Sequence, residues 1–418
     1  MDFGLIGETL DHSYSAEIHQ RLRGYDYRLC PMPPEALPAF FAARDFRGIN
    51  VTIPYKRAVM LYCDALDETA RRIGSVNTVI RQPDGRLTGY NTDLAGFRTM
   101  LSAAGISLAG RRVMILGSGG TAQTAKAAAA DAGAAKVTVV SRGGEVNYET
   151  CAERCPDTEV ILNTTPVGMF PRSDARPLDL SAFPCCGAVA DAIYHPLRTR
   201  LLQQAEELGM RCAGGLRMLT AQAKAAGDLF TGAPQPDERA EAVYRSLRGE
   251  LTNWVLIGMP GCGKSTVGAA LAWRSGRPFV DLDELAEERA GMPAAELIRQ
   301  EGEGAFRDLE EALIREVGAR TGQVIATGGG AVLREGNVFA LRQNGKLLWI
   351  RRELRHLARE GRPLSSGDEA LARMAERRVP LYERAADGSV EHGEDWDGLA
   401  NAAWDWFTAE SERKGDGT

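Results

Sequence analysis

RRVMILGSGGTAQTAKAAAADAGAAKVTVVSR (Arg111–Arg142) reads as strand, glycine-rich turn, helix and strand. The apolar run Val113–Gly117 is followed by Gly119 and Gly120, an alanine-rich helical stretch, and a β-branched run, Val137–Ser141. Two strands joined through a helix form a βαβ unit, and such units build parallel sheets. Gly117, Gly119 and Gly120 let the backbone turn sharply and approach a pyrophosphate seated on the helix N-terminus. A glycine triplet alone is a weak signal. Its place between a strand and a helix is the context a dinucleotide site requires, against the alternative of a tight turn with no ligand. Where NAD sites carry a carboxylate for the ribose hydroxyls, this chain has Ser141 and Arg142. A guanidinium suits a 2′-phosphate, which favours NADP(H).

Further strands at Val160–Thr164 and Ala188–Tyr194 continue the pattern. Past a Pro/Gly-rich, then charged stretch, Thr231–Glu250, the strand Trp254–Gly258 opens a second, unlike half. It runs into GMPGCGKST (Gly258–Thr266), which fits G-x-x-x-x-G-K-[ST] ahead of a helix. The amides of Gly261, Cys262, Gly263 and the helix start through Thr266 would cradle ATP phosphates. Lys264 would meet the β and γ oxygens, and Ser265 would reach Mg²⁺. Cys262 offers its backbone only. In PFVDLDEL, Asp281 and Asp283 stand two apart, which on a strand puts both carboxylates on one face. One would hold hydrated Mg²⁺ and the other would face an acceptor hydroxyl. Without the phosphate loop, two solvated carboxylates at a strand end would be the preferred reading. QVIATGGGAV then carries three glycines where backbone can approach a ligand closely.

The chain has 418 residues, enough for two or three domains. Its net charge of -6 makes nucleic acid a poor partner, and no apolar run approaches the ~20 residues of a membrane span. The N-terminus lacks the pattern of a signal peptide. The eight scattered cysteines suit a reducing cytoplasm better than a zinc or disulfide framework. The expected class is α/β throughout. A substrate domain over 1–100, completed by helices within 216–245, precedes a Rossmann-type domain over 101–215. A linker over 232–251 then leads to a P-loop domain with a parallel sheet over 252–410.

One stretch upstream of the glycine turn, GINVTIPYK, reads Val51–Ile53 as a buried strand with Lys56 just past its end. Alone, that lysine is either a solvated charge opening a surface helix or a group aimed into a pocket. HSYS, IGSVNTV and GYNTDLAGF add hydroxyls, amides and a carboxylate beside apolar residues. Singly, Asn77 or Asp93 would more often be a turn or cap residue; together they suggest a pocket for a small polyhydroxylated molecule. In order, "HSYS", "GINVTIPYK", "IGSVNT", "GYNTD", "LGSGGTA", "NTTPVGM", "DAIYHP" and "GGLRMLTAQA" make the chain resemble shikimate dehydrogenase as far as the region of Arg245. The resemblance implies that Lys56 and Asp93 form the catalytic pair. Ser13, Ser15, Thr52, Asn77, Tyr194 and Gln222 would join them in holding the substrate. Gly117, Ser118, Gly119, Gly120, Thr121, Ala122, Ser141, Arg142, Ala192 and Gly215 would line the NADP site. Ala16 stands where the family usually has proline, and SRGG replaces the usual Asn-Arg-Thr.

GMPGCGKST, FVDLDEL, GEGAFRDLE, ATGGGAV, RPL and RRVPLYERAAD look like shikimate kinase from Thr252 to Phe407. This implies that Asp283 polarises the attacking hydroxyl, that Arg307, Gly329 and Arg378 bind substrate, and that Arg362 is a catalytic, ATP-contacting lid arginine. Asp281 and Ser265 would hold the metal. Only Glu360 and Gly361 separate Arg359 from Arg362, which is shorter than usual in the family and leaves open which arginine meets phosphate. The resemblances imply one bifunctional enzyme of aromatic amino-acid precursor synthesis, which reduces 3-dehydroshikimate and phosphorylates shikimate. The alternatives are a quinate/shikimate oxidoreductase fused to another small-molecule kinase, or a half that binds without turnover.

Overall fold

The computed structural model describes residues 1–10, 13–357, 368–391 and 395–412. The chain divides into two compact units, Met1–Ser246 and Leu247 onward.

The first unit holds two sheets. One runs, edge to edge, Tyr27–Pro31, Phe3–Gly7, Gly48–Val51, Thr78–Arg81, Leu87–Tyr90 and Ala65–Leu66. Its first three strands are parallel, and Thr78–Arg81 enters antiparallel to both neighbours. The other sheet is wholly parallel, in the order Arg211–Ala213, Ala188–Asp191, Val160–Asn163, Arg112–Leu116, Lys136–Val140. From Arg112–Leu116 the chain goes first to the strand on one side and then to the strand on the other. Such a switch point opens a crevice beyond the carboxyl ends of the strands. The Gly117 turn and Thr164–Thr165 stand there. A Cβ on Gly117 would lie 3.0 Å from Thr164 Oγ1. The helix Gly120–Asp131 buries Ala122, Ala125, Ala128 and Ala129, and side chains this small let it lie close to the sheet.

The second unit is built on a parallel sheet in the order Phe279–Asp281, Val324–Ala326, Asn253–Ile257, Gly345–Arg351, Gly388–Glu391. Asn253–Ile257 is buried along its whole length, as expected for a central strand covered on both faces. The phosphate loop leaves its carboxyl end. The α/β class and the parallel sheets agree with the sequence.

Two local expectations fail. The strand at Lys56 ends at Val51, and Ile53 is 68% exposed rather than buried. Ile53 precedes Pro54, and a proline constrains the residue before it and cannot donate to a ladder. The strand Ala188–Asp191 is shorter than the apolar run suggests, because Ile193 and Tyr194 already lie in irregular backbone, with the Ile193 amide turned onto Asp191 Oδ1. The division between units falls inside the stretch expected as a linker, 232–251, which is helical over Asp237–Leu251. Gly232, Pro234 and Pro236 break the chain only ahead of that helix. Ala240, Val243, Tyr244, Leu247 and Leu251 recur at helical spacing and are buried.

Candidate active sites

Lys56 sits in the turn after Gly48–Val51, and its Nζ lies 2.6 Å from Asp93 Oδ2. The lysine side chain is 17% exposed and the aspartate 5%. Asp93 opens the helix Asp93–Ala103, and its other oxygen accepts from Asn77 Nδ2 at 2.9 Å. Asn77 is fixed in turn: its Oδ1 accepts from the Thr92 amide at 2.7 Å, and its Nδ2 also lies 3.3 Å from Gln222 Oε1. Gln222 comes from the helix Gly215–Thr231, which crosses Asp93–Ala103 at Gly96. A Cβ there would lie 2.6 Å from the Met218 carbonyl and 2.9 Å from Gln222 Cβ. The absence of a side chain at Gly96 is what lets Gln222 reach Asn77, the residue that holds Asp93.

The other candidate substrate residues come from separate elements. The Ser15 amide donates to Ser13 Oγ at 3.3 Å, and the intervening Tyr14 ring is 5.8 Å from that of Tyr194. Burial pushes the Tyr194 phenol above its ordinary value, so it is a neutral donor. Thr52, at the strand end, donates its amide to the Ile6 carbonyl at 3.0 Å.

The glycine turn lies beside Lys56. A Cβ on Gly120 would lie 3.8 Å from Lys56 Cδ, so the helix N-terminus stands beside the lysine. Gly117 has φ 104°, a conformation that glycine alone adopts cheaply, and the position of a Cβ on Gly119 faces open space. That space and the helix N-terminus fit a pyrophosphate. Ser118 lies within this turn, and Thr121 and Ala122 begin the helix. Ser141 and exposed Arg142 follow the strand Lys136–Val140. The backbones of Ala192 and Gly215 touch: a Cβ on Gly215 would lie 2.2 Å from the Ala192 carbonyl.

In the second unit, Lys264 is buried, and its Nζ donates to the carbonyls of Gly258 at 2.9 Å and Met259 at 3.0 Å. Gly261 and Gly263 have φ 78° and 103°. Gly261–Gly263 lead into the helix Lys264–Ser275, where Ser265 and Thr266 are exposed, and buried Cys262 keeps its thiol 3.9 Å from Lys264 Nζ. A charged lysine turned onto its own loop carbonyls, beside a helix N-terminus, suits a phosphate chain.

The expectation that Asp281 and Asp283 share a strand face is overturned. The strand Phe279–Asp281 ends at Asp281, whose Oδ1 caps the next helix by accepting from the Asp283 amide at 3.0 Å and the Glu284 amide at 3.4 Å. Asp283 stands in the first turn of Leu282–Ala290. A carboxylate at a helix start satisfies orphan amides, and that preference ends the strand.

The glycines Gly328–Gly330 form a hub. A Cβ on Gly328 would lie 2.6 Å from Asp283 Oδ1 and 2.7 Å from Glu310 Oε1; one on Gly330 would lie 2.1 Å from Arg307 Nη1. One on Gly329 would lie 2.6 Å from the ring of Pro260, in the phosphate loop. The Gly329 carbonyl accepts from Arg378 Nη1 at 3.0 Å and from Tyr382 Oη at 2.5 Å. Arg307 Nη1 donates to Glu310 Oε2 at 2.7 Å. Burial pushes the Glu310 carboxyl upward against the pull of Arg307. Sequence reading missed Glu310 and Tyr382, although the spacing Arg307-x-x-Glu310 on a helix already predicts an ion pair. Arg359 and Arg362 lie outside the described residues.

Family models match two stretches: "Shikimate dehydrogenase substrate binding domain" over residues 5–79 and "Shikimate kinase" over residues 260–401. A shikimate dehydrogenase (NADP(+)) of Symbiobacterium thermophilum is 32% identical over 279 residues, covering 59% of this chain and 95% of the relative. The chain belongs to the shikimate dehydrogenase family. It is a shikimate dehydrogenase followed by a shikimate kinase domain. Shikimate dehydrogenase 1 from Peptoclostridium difficile is 31% identical with a TM-score of 0.56, over 59% of this chain and 98% of that one. The quinate dehydrogenase of Corynebacterium glutamicum, solved with NAD, is 28% identical with a TM-score of 0.53, over 59% and 99%.

Proposed function

We propose that the first unit reduces 3-dehydroshikimate to shikimate with NADPH and that the second phosphorylates shikimate with ATP and Mg²⁺. The observation that carries the first reading is the Lys56–Asp93 pair, 2.6 Å apart beside the start of the glycine-turn helix. NADPH, when bound, supplies a hydride to the ketone carbon. Lys56 stabilises the charge developing on the ketone oxygen and delivers a proton to it. Asp93 holds the ammonium, Asn77 and Gln222 hold the carboxylate's side of the pocket, and Ser13, Ser15, Thr52 and Tyr194 offer donors to hydroxyls and carboxylate. Arg142 meets the 2′-phosphate.

In the second unit Asp283 accepts hydrogen from the attacking hydroxyl. Arg307 and Arg378 take the substrate carboxylate, a task for which their forked geometry suits them. Mg²⁺ would be held through Ser265 and the uncapped oxygen of Asp281, and would neutralise phosphate charge. Arg362 is assigned to the phosphoryl group.

The test is a product assay with 3-dehydroshikimate, NADPH, ATP and Mg²⁺. NADPH oxidation with shikimate release, then ADP and a phosphorylated product, is expected; absence of either step refutes that unit's assignment. The likeness to a quinate dehydrogenase solved with NAD favours a second reading, oxidation of quinate with NAD⁺. Turnover of that pair faster than of shikimate and NADP⁺ would establish it.

A further inference from the structure

Asp191 ends the strand Ala188–Asp191 and is 0% exposed. Nothing in the reaction calls for it, yet its carboxylate is surrounded by donors from three segments. Oδ1 accepts from Asn163 Nδ2 at 3.0 Å and from the Ile193 amide at 3.0 Å. Oδ2 accepts from Thr199 Oγ1 at 2.7 Å. Each partner is itself tied to something. Asn163 ends the neighbouring strand, and its Oδ1 receives the Thr165 amide at 3.0 Å and hydroxyl at 2.7 Å, fixing the loop beside Gly117. Thr199 caps the helix Arg200–Glu207. The Ile193 carbonyl receives the Gly215 amide at 3.0 Å, and the next residue is Tyr194. A buried carboxylate is costly unless its lone pairs are filled, and these donors lock three chain segments to one point. Burial still pushes the carboxyl up to about 6.

From this convergence we infer that Asp191 is a positioning residue for reduction: it fixes the Ala192–Tyr194 segment and the Thr164–Thr165 loop, which follow two neighbouring strands on the side of the strand-end crevice opposite the Gly117 turn. The inference rests on the proposed dehydrogenase function, and wild-type turnover of 3-dehydroshikimate with NADPH is therefore measured first. If wild type is inactive, that reading fails, whatever Asp191 does.

With wild type active, Asp191→Ala lowers kcat/KM about tenfold or more, the scale of one or two lost buried hydrogen bonds. Asp191→Asn rescues most of this loss, because its amide oxygen still accepts from Asn163 and Ile193 while its NH₂ faces the Thr199 hydroxyl. The decisive readout is a double-mutant cycle with Tyr194→Phe, because a group that only supports folding gives additive losses. Tyr194→Phe raises the substrate KM about tenfold in wild type and less than about twofold in Asp191→Ala. Additive effects, or no rescue by asparagine, overturn the inference. Should Asp191→Ala fail to fold, Thr199→Val removes a single donor and takes its place in the cycle; additivity there overturns the inference equally.

Discussion

At the scale of single residues, the buried carboxyl of Asp191 gives a prediction whose sign follows from burial. Its folded pKa of about 6 exceeds the ordinary 3.8, so the folded state holds the extra proton between those values. The stability this group supports is fully present below about pH 3.8 and is lost as the pH rises through about 6. The upward shift corresponds to about 3 kcal/mol at neutral pH. Asp191→Asn removes the titration, so its first unit should gain stability relative to wild type as the pH is raised from 4 to 7. Thermal or urea unfolding of both proteins across that range checks this; a constant difference would contradict it. Arg142 supports a second prediction. It is exposed at the strand end, so Arg142→Ala should leave stability intact and raise KM for NADPH about tenfold to a hundredfold, with KM for NADH little changed. Equal effects on the two cofactors would deny it the 2′-phosphate. Asp283→Asn should cut phosphoryl transfer about a hundredfold or more, the range of a lost acid–base group, with Mg-ATP affinity little changed. Titrating Mg-ATP and shikimate separately checks this assignment.

At the scale of elements, the reduction site depends on how closely two helices approach. Asp93–Ala103 and Gly215–Thr231 meet where Gly96 leaves room for a backbone carbonyl and for Gln222. Gly96→Val would push the second helix outward. The expected cost is about 1–3 kcal/mol of stability, typical of overpacking, together with a rise in substrate KM as Gln222 withdraws from Asn77. Denaturant unfolding and steady-state kinetics on one preparation measure both. A full stability loss with unchanged KM would separate the crossing from the site. Element boundaries also mark where sequence reading ran out. The glycine turn was legible because strand, turn and helix are contiguous. The pairing of Asn77 with Gln222 spans 145 positions, and no local spacing encodes it. Asp281 and Asp283 were misplaced for a local reason: strand period and helix cap both put carboxylates two apart, and capping prevailed.

At the scale of the whole molecule, each unit contains its own candidate catalytic residues, with Lys56 and Asp93 in one and Lys264 and Asp283 in the other. Lys56→Ala should abolish ketone reduction and leave phosphorylation of added shikimate within about twofold, since sites with no shared partners behave additively. Lys264→Ala should do the reverse. Parallel loss of both activities in either folded variant would refute two independent sites. The order of motifs made this division legible in the sequence. The division falls inside the stretch 232–251 expected to hold it; the helix there was not read, although the apolar spacing of Ala240, Val243, Tyr244 and Leu247 encodes one.

The crowding at Gly328–Gly330 bears on how the gene tolerates change. None of the three residues has a functional group to lose, and a scan for reactive side chains would pass over them. Yet any codon change away from glycine inserts a Cβ into Asp283 and Glu310, into the Pro260 ring, or into the Arg307 guanidinium. In a saturation library selected for growth on kinase activity, these three positions should stand as empty as Lys264. Engineers seeking altered acceptor scope would do better to leave that turn fixed and diversify the residues that press upon it.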